Sequence, residues 1–146
     1  MAPGTVEHIH LTPTQGAPVE AVERAETETG LGIRGDRYFG DPEAEQLTLI
    51  EAEAIERLAA EHDVSLGPGG TRRNLTTRGI DLGSLVGRRF HVGEAVCEGL
   101  ERCEPCLYLA KLTDPRVLRG LVHTGLSAAV LEGGTIRVGD PVEVLP

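Results

Sequence analysis

Two cysteines with two residues between them, Cys103 and Cys106, are the first feature of the chain that could do chemistry. The thiolate form of cysteine is a nucleophile and a soft metal ligand, and nearby positive charge favours it. Arg102 and Lys111 are close in sequence, and Pro105 stiffens the approach to Cys106. We therefore interpret Cys106 as a nucleophilic or metal-ligating thiolate.

Other interpretations of the thiols stay open at this point. Structural zinc takes four ligands, of which a Cys-x-x-Cys motif supplies two. A thioredoxin-like redox pair needs a helix after the motif, and residues 107–110 are not predicted to be helical. Cysteine is also often a small buried apolar side chain, which is our expectation for Cys97 because it lies in a predicted strand.

An arginine-rich stretch is the second candidate for chemistry. Arg72 and Arg73 follow the glycines at 69–70 and precede Asn74. Guanidinium groups and exposed backbone N–H groups both donate hydrogen bonds to oxyanions, so this segment is typical of a phosphate or carboxylate site. Arg88 and Arg89, in contrast, are predicted to lie on the solvated face of a strand.

A glycine-rich segment, residues 30–40, is the third candidate. Its glycines match the spacing of a dinucleotide-binding motif, but no βαβ unit surrounds them. We predict a tight loop in which Gly35 frees the backbone and Asp36 forms hydrogen bonds across the loop, either to cover a ligand or as a turn. Nearby, His8 and His10 share one face of a predicted strand, which suits either a metal pair or a solvated face.

The composition excludes several classes of protein. A length of 146 residues predicts one domain, residues 1–146. A net charge of −9, with two Phe, two Tyr and no Trp, disfavours nucleic-acid binding. No apolar run approaches the roughly 18 residues of a membrane span, and the N-terminus lacks the pattern of a secretory signal. We therefore expect a cytoplasmic protein without nucleic-acid or membrane partners.

Short alternating segments separated by glycine turns predict a fold built mainly of strands. The strongest predicted helix spans residues 51–61, whose apolar side chains repeat at helical spacing. A second helix is predicted from Asp114 and Pro115 to a point before Gly125. The predicted strands are residues 6–11, 19–25, 46–50, 75–77, 88–92, 95–100, 128–131, 135–138 and 142–145. Many strands with two helices predict a closed or nearly closed β-barrel.

Several segments, taken in order, resemble the MOSC domain, the module named after the C-terminal part of molybdenum cofactor sulfurase. The ordered set is more specific than any single motif, and it covers nearly the whole chain. The segments are Gly32-Ile-Arg-Gly-Asp36, Gln46-Leu-Thr-Leu-Ile-Glu-Ala-Glu-Ala-Ile55, Arg72-Arg-Asn-Leu75, Gly79-Ile-Asp-Leu82, Leu85-Val-Gly-Arg-Arg-Phe90, Cys103-Glu-Pro-Cys106 and Gly133-Gly-Thr-Ile-Arg-Val-Gly-Asp140. We expect a stand-alone member, because the chain lacks the additional domains of larger members.

The resemblance implies a β-barrel and a family cysteine, which Cys106 matches. In relatives that cysteine carries sulfur as a persulfide or ligates molybdenum held by a pterin dithiolene. Arg72, Arg73 and Asn74 match the segment that lines the pterin-phosphate pocket of cofactor-binding members. Together with the loop residues 35 and 36, they form the candidate cofactor-binding set.

The resemblance leads to two expected functions. In the first, the chain binds molybdenum cofactor (molybdopterin) through Cys106 and reduces an N-oxygenated compound with electrons from separate electron-transfer proteins. In the second, Cys106 carries a persulfide received from a sulfur donor protein and retains no metal. A third expectation is a non-enzymatic domain in which Cys103 and Cys106 form a redox-sensitive disulfide. Whether the protein is an enzyme stays open among these.

Overall fold

The architecture is a closed β-barrel with helices on its outside. The computed structural model describes residues 2–41, 45–67, 69–105 and 107–146. Within these ranges seven strands close into a barrel, accompanied by three α-helices and a short 3₁₀ helix, Leu82–Leu85. The predicted mainly β barrel with two or more helices is confirmed.

The strands are short, as the frequent glycines predicted. They are β1 Gly4–Leu11, β2 Glu20–Val22, β3 Arg24–Glu28, β4 Gly32–Ile33, β5 Leu47–Glu51, β6 Leu75–Arg78, β7 Arg89–Val92, β8 Ala95–Arg102, β9 Leu126–Glu132, β10 Thr135–Arg137 and β11 Pro141–Val144. The helices are α1 Ala52–His62, α2 Leu107–Leu112 and α3 Val117–Gly120.

Strand pairing closes the barrel through the first and last strands. Around the barrel the order is β1, β6, β5, β9, β8, β7 and β11, and β11 pairs with β1. Pairs are antiparallel except β5 with β6, which run parallel because α1 connects them as a crossover. β2 pairs with β1, whereas β10, β3 and β4 form a separate small sheet.

Two apolar clusters hold these elements together, one inside the barrel and one outside. The inner cluster consists mainly of Val, Leu, Ile and Ala, with Phe90 as its largest buried side chain. The outer cluster lies between β5 and the helices, where Ile50 and Leu58 contact side chains of α2 and α3. Because side chains alternate across a strand, Leu49 of β5 points inward and the next residue points to the helices.

The helix predicted for residues 51–61 is confirmed as α1, but the second predicted helix was wrong in its extent. The structure has two short helices, α2 and α3, in place of one helix starting at Asp114. The Asp114 carboxylate accepts a hydrogen bond from the backbone N–H of Arg116 (2.9 Å), which forms a turn between the two helices. The first of them covers residues 107–110, so the expectation that this segment is not helical was also wrong.

The strand predicted for residues 19–25 is divided in the structure. β2 pairs with β1 of the barrel, whereas β3 pairs with β10 and β4 in the small sheet. The break at Glu23 lets the chain leave one sheet and enter the other. Alternation within one segment could not show this, because the change depends on two different partner strands.

No helix among the residues that the structure describes is both long enough and apolar enough to span a bilayer.

Candidate functional site

The strand order brings distant segments of the chain together beside β5. Leu49 of β5 pairs on one side with Leu75, the first residue of β6, and on the other side with Leu126, the first residue of β9. The segment before β6 contains residues 72–74, and β8, which pairs with β9, ends just before Cys103. The arginine and cysteine segments therefore lie on the same part of the barrel wall.

Asn74 is the polar centre of this region. Its Oδ1 accepts hydrogen bonds from the backbone N–H and the hydroxyl of Thr48 (3.0 and 3.1 Å). Its Nδ2 donates to the backbone carbonyl of His10 (3.2 Å) and to Asp36 Oδ1 (3.4 Å). Only 3% of Asn74 is exposed, so the amide joins three segments within the protein interior.

Gly35 and Asp36 lie in the turn after β4, as the glycine spacing predicted. Gly35 has a φ of +86°, which a residue with a side chain rarely adopts. Asp36 is buried, and its carboxylate accepts hydrogen bonds from the backbone N–H groups of Thr12 (3.0 Å) and Tyr38 (3.3 Å). The carboxylate therefore fixes this turn against the end of β1 and against Asn74.

Arg73 connects the arginine segment to the cysteine segment. Its Nη2 donates to the backbone carbonyl oxygens of Cys103 (3.4 Å) and Glu104 (3.0 Å). The adjacent Arg72 has a φ of +62° and donates from Nη2 to the carbonyl of Ala17 (3.0 Å). Both residues are half-buried, and these hydrogen bonds hold the two cations in defined positions.

Two residues that the sequence analysis did not assign to the site, Arg37 and His10, also contribute polar nitrogens. The Arg37 side chain is 12% exposed; its Nη1 lies 3.6 Å from Asp36 Oδ1 and its guanidinium carbon lies 4.1 Å from the centre of the Tyr38 ring. Within the described ranges, the buried atoms Arg37 Nε, Arg72 Nε and His10 Nδ1 have no hydrogen-bond partner. Two of these are N–H donors of permanently charged groups, which suits an anionic ligand.

His10 differs from its neighbour on the strand. His8 is exposed, whereas His10 is 7% exposed, with its ring centre 6.1 Å from that of His8. Burial, and then the charge of His8, lower the pKa of His10 below 6.5. The interpretation as a solvated face therefore holds for His8 and not for His10.

The three cysteines have different environments. Cys97 is fully buried in the barrel core, and burial raises the pKa of its thiol to about 12, which confirms its predicted role in packing. Cys103 is 6% exposed, and its Sγ lies 3.5 Å from both carboxylate oxygens of Glu45. Cys106 lies outside the described residues, so its role as thiolate and metal ligand stays a prediction.

Across the described parts of the chain, no group of three or more His, Cys, Asp or Glu side chains is arranged to hold a metal ion. A cleft of about 350 Å³ lies at the other end of β6 and is lined by Glu51, Glu53, Arg57 and residues 79–81. Its carboxylates accept hydrogen bonds from the protein itself, including Gly79 N–H to Glu53 Oε2 (2.9 Å). Among the described residues, Glu53 Oε1 and the Thr77 hydroxyl near the end of β6 also have no hydrogen-bond partner, but the unpaired donors of charged side chains are those of Arg37 and Arg72.

The fold and these contacts define a β-barrel protein in which an arginine segment lies next to a cysteine segment. The sequence profile of the MOSC domain matches residues 13–143, and the chain therefore belongs to the MOSC domain family. The resemblance of the ordered motifs is thereby confirmed.

Solved structures of similar proteins share the fold. The YuaD protein of Bacillus subtilis has a TM-score of 0.86 at 19% identity, with 98% of this chain and 96% of that one covered. The YiiM protein of Geobacillus stearothermophilus has a TM-score of 0.75 at 16% identity, covering 98% and 75%. The YiiM protein of Escherichia coli has a TM-score of 0.71 at 20% identity, covering 97% and 70%. No curated protein sequence matches the chain.

Proposed function

We propose that this MOSC-family protein binds molybdenum cofactor, or a related anionic sulfur compound, beside the start of β6, with Cys106 as the thiolate that contacts it. The observation that carries the proposal is the pair of hydrogen bonds from Arg73 to the carbonyls of Cys103 and Glu104. They hold a cation against the segment that contains the family cysteine. A nearby cation favours the thiolate form that both metal ligation and persulfide chemistry require.

The unused donors fit the charge of such a cofactor. The cofactor carries a phosphate, and a guanidinium group donates to phosphate oxygens in a fixed planar geometry. Arg37 and Arg72 each have a buried Nε–H without an acceptor among the described residues. We assign these two side chains to the phosphate. Asn74 and Asp36 already bond to the protein with their polar atoms. Asp36 positions Arg37 through their ion pair, and Asn74 holds Asp36 through a hydrogen bond.

In the proposed function, the residues of this chain bind the cofactor and bring positive charge to the cysteine segment. When bound, the cofactor supplies a metal that exchanges electrons with a substrate such as an N-oxygenated compound, and separate proteins supply those electrons. Arg37 and Arg72 bind the phosphate, while Arg73 keeps the backbone of residues 103 and 104 in place and brings positive charge to the cysteine segment. A Cys thiolate is a suitable soft ligand for a metal with sulfur donors.

The test is retention of the cofactor by the purified protein. The protein is incubated with isolated molybdenum cofactor and desalted, and then bound molybdenum and released pterin are both counted. We expect one molybdenum for each chain in the unchanged protein and none in Cys106→Ala. Arg73→Ala should weaken retention roughly tenfold or more, the effect of losing a charged hydrogen-bond donor.

Arg78→Ala is the matched control, because Arg78 lies at the opposite end of β6 and pairs with Glu7 and Glu56 on the surface. This variant should retain the metal fully. An equal loss of bound molybdenum in Arg73→Ala and Arg78→Ala would show that Arg73 has no specific role in binding. A gain of one sulfur atom on Cys106 after incubation with a cysteine desulfurase, without metal retention, would replace cofactor binding with the sulfur-carrier function.

A further inference from the structure

Cys103 is in contact with a carboxylate, which is an unusual partner for a thiol in a motif expected to react. The Cys103 Sγ lies 3.5 Å from both Glu45 oxygens, within the distance of an S–H···O hydrogen bond, and Glu45 is half-buried. A thiolate at this position would place two negative charges side by side where little water can screen them. The Glu45 contact therefore favours the protonated thiol at Cys103, and it opposes the positive charge of Arg73, which reaches the carbonyl of Cys103 and not its sulfur.

The other charged groups of the segment contact its backbone or its neighbours. Arg73 donates to the carbonyls of Cys103 and Glu104, and the backbone N–H of Cys103 donates to the carbonyl of Gly125 (2.9 Å). The Glu104 carboxylate accepts a hydrogen bond from the backbone N–H of His123 (2.8 Å). Among the described residues, these contacts involve the backbone, and the Glu45 carboxylate contacts the sulfur.

We propose that Glu45 is a positioning residue that holds Cys103 as an unreactive thiol, so that Cys106 is the reacting cysteine of the pair and the two do not form a disulfide. A disulfide forms when a thiolate attacks an oxidised sulfur, so keeping the proton on Cys103 slows its part in that exchange. The inference rests on the proposed function in taking Cys106 as the reacting thiol. The inference adds that Glu45 protects the cysteine pair from oxidation to a disulfide.

The test measures thiol reactivity in the cofactor-free protein. Labelling by iodoacetamide is followed at each cysteine by peptide mass spectrometry between pH 6 and pH 9. We expect Cys106 to react first in the unchanged protein. In Glu45→Gln, the labelling rate of Cys103 near neutral pH should rise about tenfold, and its pH profile should move to lower pH because the negative charge is gone.

Glu45→Asp, which keeps the charge, should restore most of the protection, and Glu101→Gln, at an exposed position on β8, should change nothing. A rise in rate without a shift of the pH profile would mean that the variant only opens the loop, and it would overturn the proposal. A slower reaction of Cys103 in Glu45→Gln would also overturn it, because Glu45 would then act as a base.

Oxidation gives an independent measurement. Glutathione disulfide can accept two electrons and two protons from the cysteine pair, giving two molecules of reduced glutathione and one Cys103–Cys106 disulfide. We expect this reaction to be faster in Glu45→Gln than in the unchanged protein, and an equal rate would contradict the proposal. If the protein retained no molybdenum but kept this thiol pattern, only the proposed function would be lost.

Discussion

The two ends of β6 both collect polar side chains, but they use them differently. At the end of the strand, the carboxylates of Glu51, Glu53 and Asp81 accept hydrogen bonds from backbone N–H groups of the turn and the 3₁₀ helix that follow. At its start, Asn74 connects three segments in the interior, and half-buried arginines retain donors without acceptors in the described ranges.

This difference, and not the size of a cleft, is the reason that we place the candidate site at the start of β6. The cleft at the end of β6 measures about 350 Å³, but its polar groups stabilise the local backbone. The start of the strand offers donors that no described protein atom satisfies, next to a cysteine segment. Because unpaired buried donors are costly, a region that contains several of them is the better candidate for ligand binding.

Among variants at the two ends of β6, Asn74→Ala should lower the free energy of unfolding the most. The change leaves the backbone N–H of Thr48 and the carbonyl of His10 without their partners in the interior, so we expect a loss of roughly 3 kcal/mol in the free energy of unfolding. Asp81→Ala removes a helix cap at the other end and should cost about 1 kcal/mol. Urea unfolding followed by circular dichroism measures both, and equal losses would contradict the comparison.

A smaller effect should appear in the pH dependence of stability, through His10. Burial lowers the pKa of His10 in the folded protein, so the unfolded chain binds the proton more readily. The contribution of neutral His10 to the free energy of unfolding is therefore fully present above about pH 6.5. It is lost as the pH falls below that value. We expect the free energy of unfolding to decrease between pH 6.5 and pH 5, and to decrease less in His10→Gln. An identical pH slope in the two proteins would exclude His10 as the cause.

The smallest change in stability should come from Arg78→Ala. Arg78 is exposed, and its ion pairs with Glu7 and Glu56 hold its pKa above the ordinary value without burying the charge. Exposed ion pairs contribute little, because water and salt screen them. We expect no resolvable change in the urea midpoint. A large loss of stability would show that the end of β6 depends on its side chains as strongly as the start does.

Most strands of the barrel were predictable because the residue pattern within each segment indicates the strand. The apolar spacing in residues 51–61 predicted the buried face of α1. Residues 6–11 form the predicted strand as part of β1, but a β-bulge between Val6 and His8 interrupts the alternation and His10 is buried. The helices α2 and α3 were not predicted correctly, because they form against α1. Leu109, Val117 and Leu121 are buried in the outer cluster, and nothing in their own spacing shows that this surface exists.

The contacts of the candidate site were predictable in part. Residue types pointed to the arginine segment and to the cysteine motif, and the contact of Arg73 with Cys103 and Glu104 joins them. The partners of Asn74 could not be predicted, because they depend on the registers of β1 and β5 against β6. Arg37 was missed for a simpler reason: it adjoins Asp36 in the glycine loop, and only burial distinguishes it from a surface arginine.

The pairing of β1 with β11 has a consequence for synthesis on the ribosome. Thr5 pairs with Pro141, so the ring cannot close until Pro141 has left the exit tunnel. Until then, β7 lacks its neighbour β11 and exposes unpaired backbone groups that other strands can bind. We therefore expect the open ring, and not the closed barrel, to be the form that aggregates.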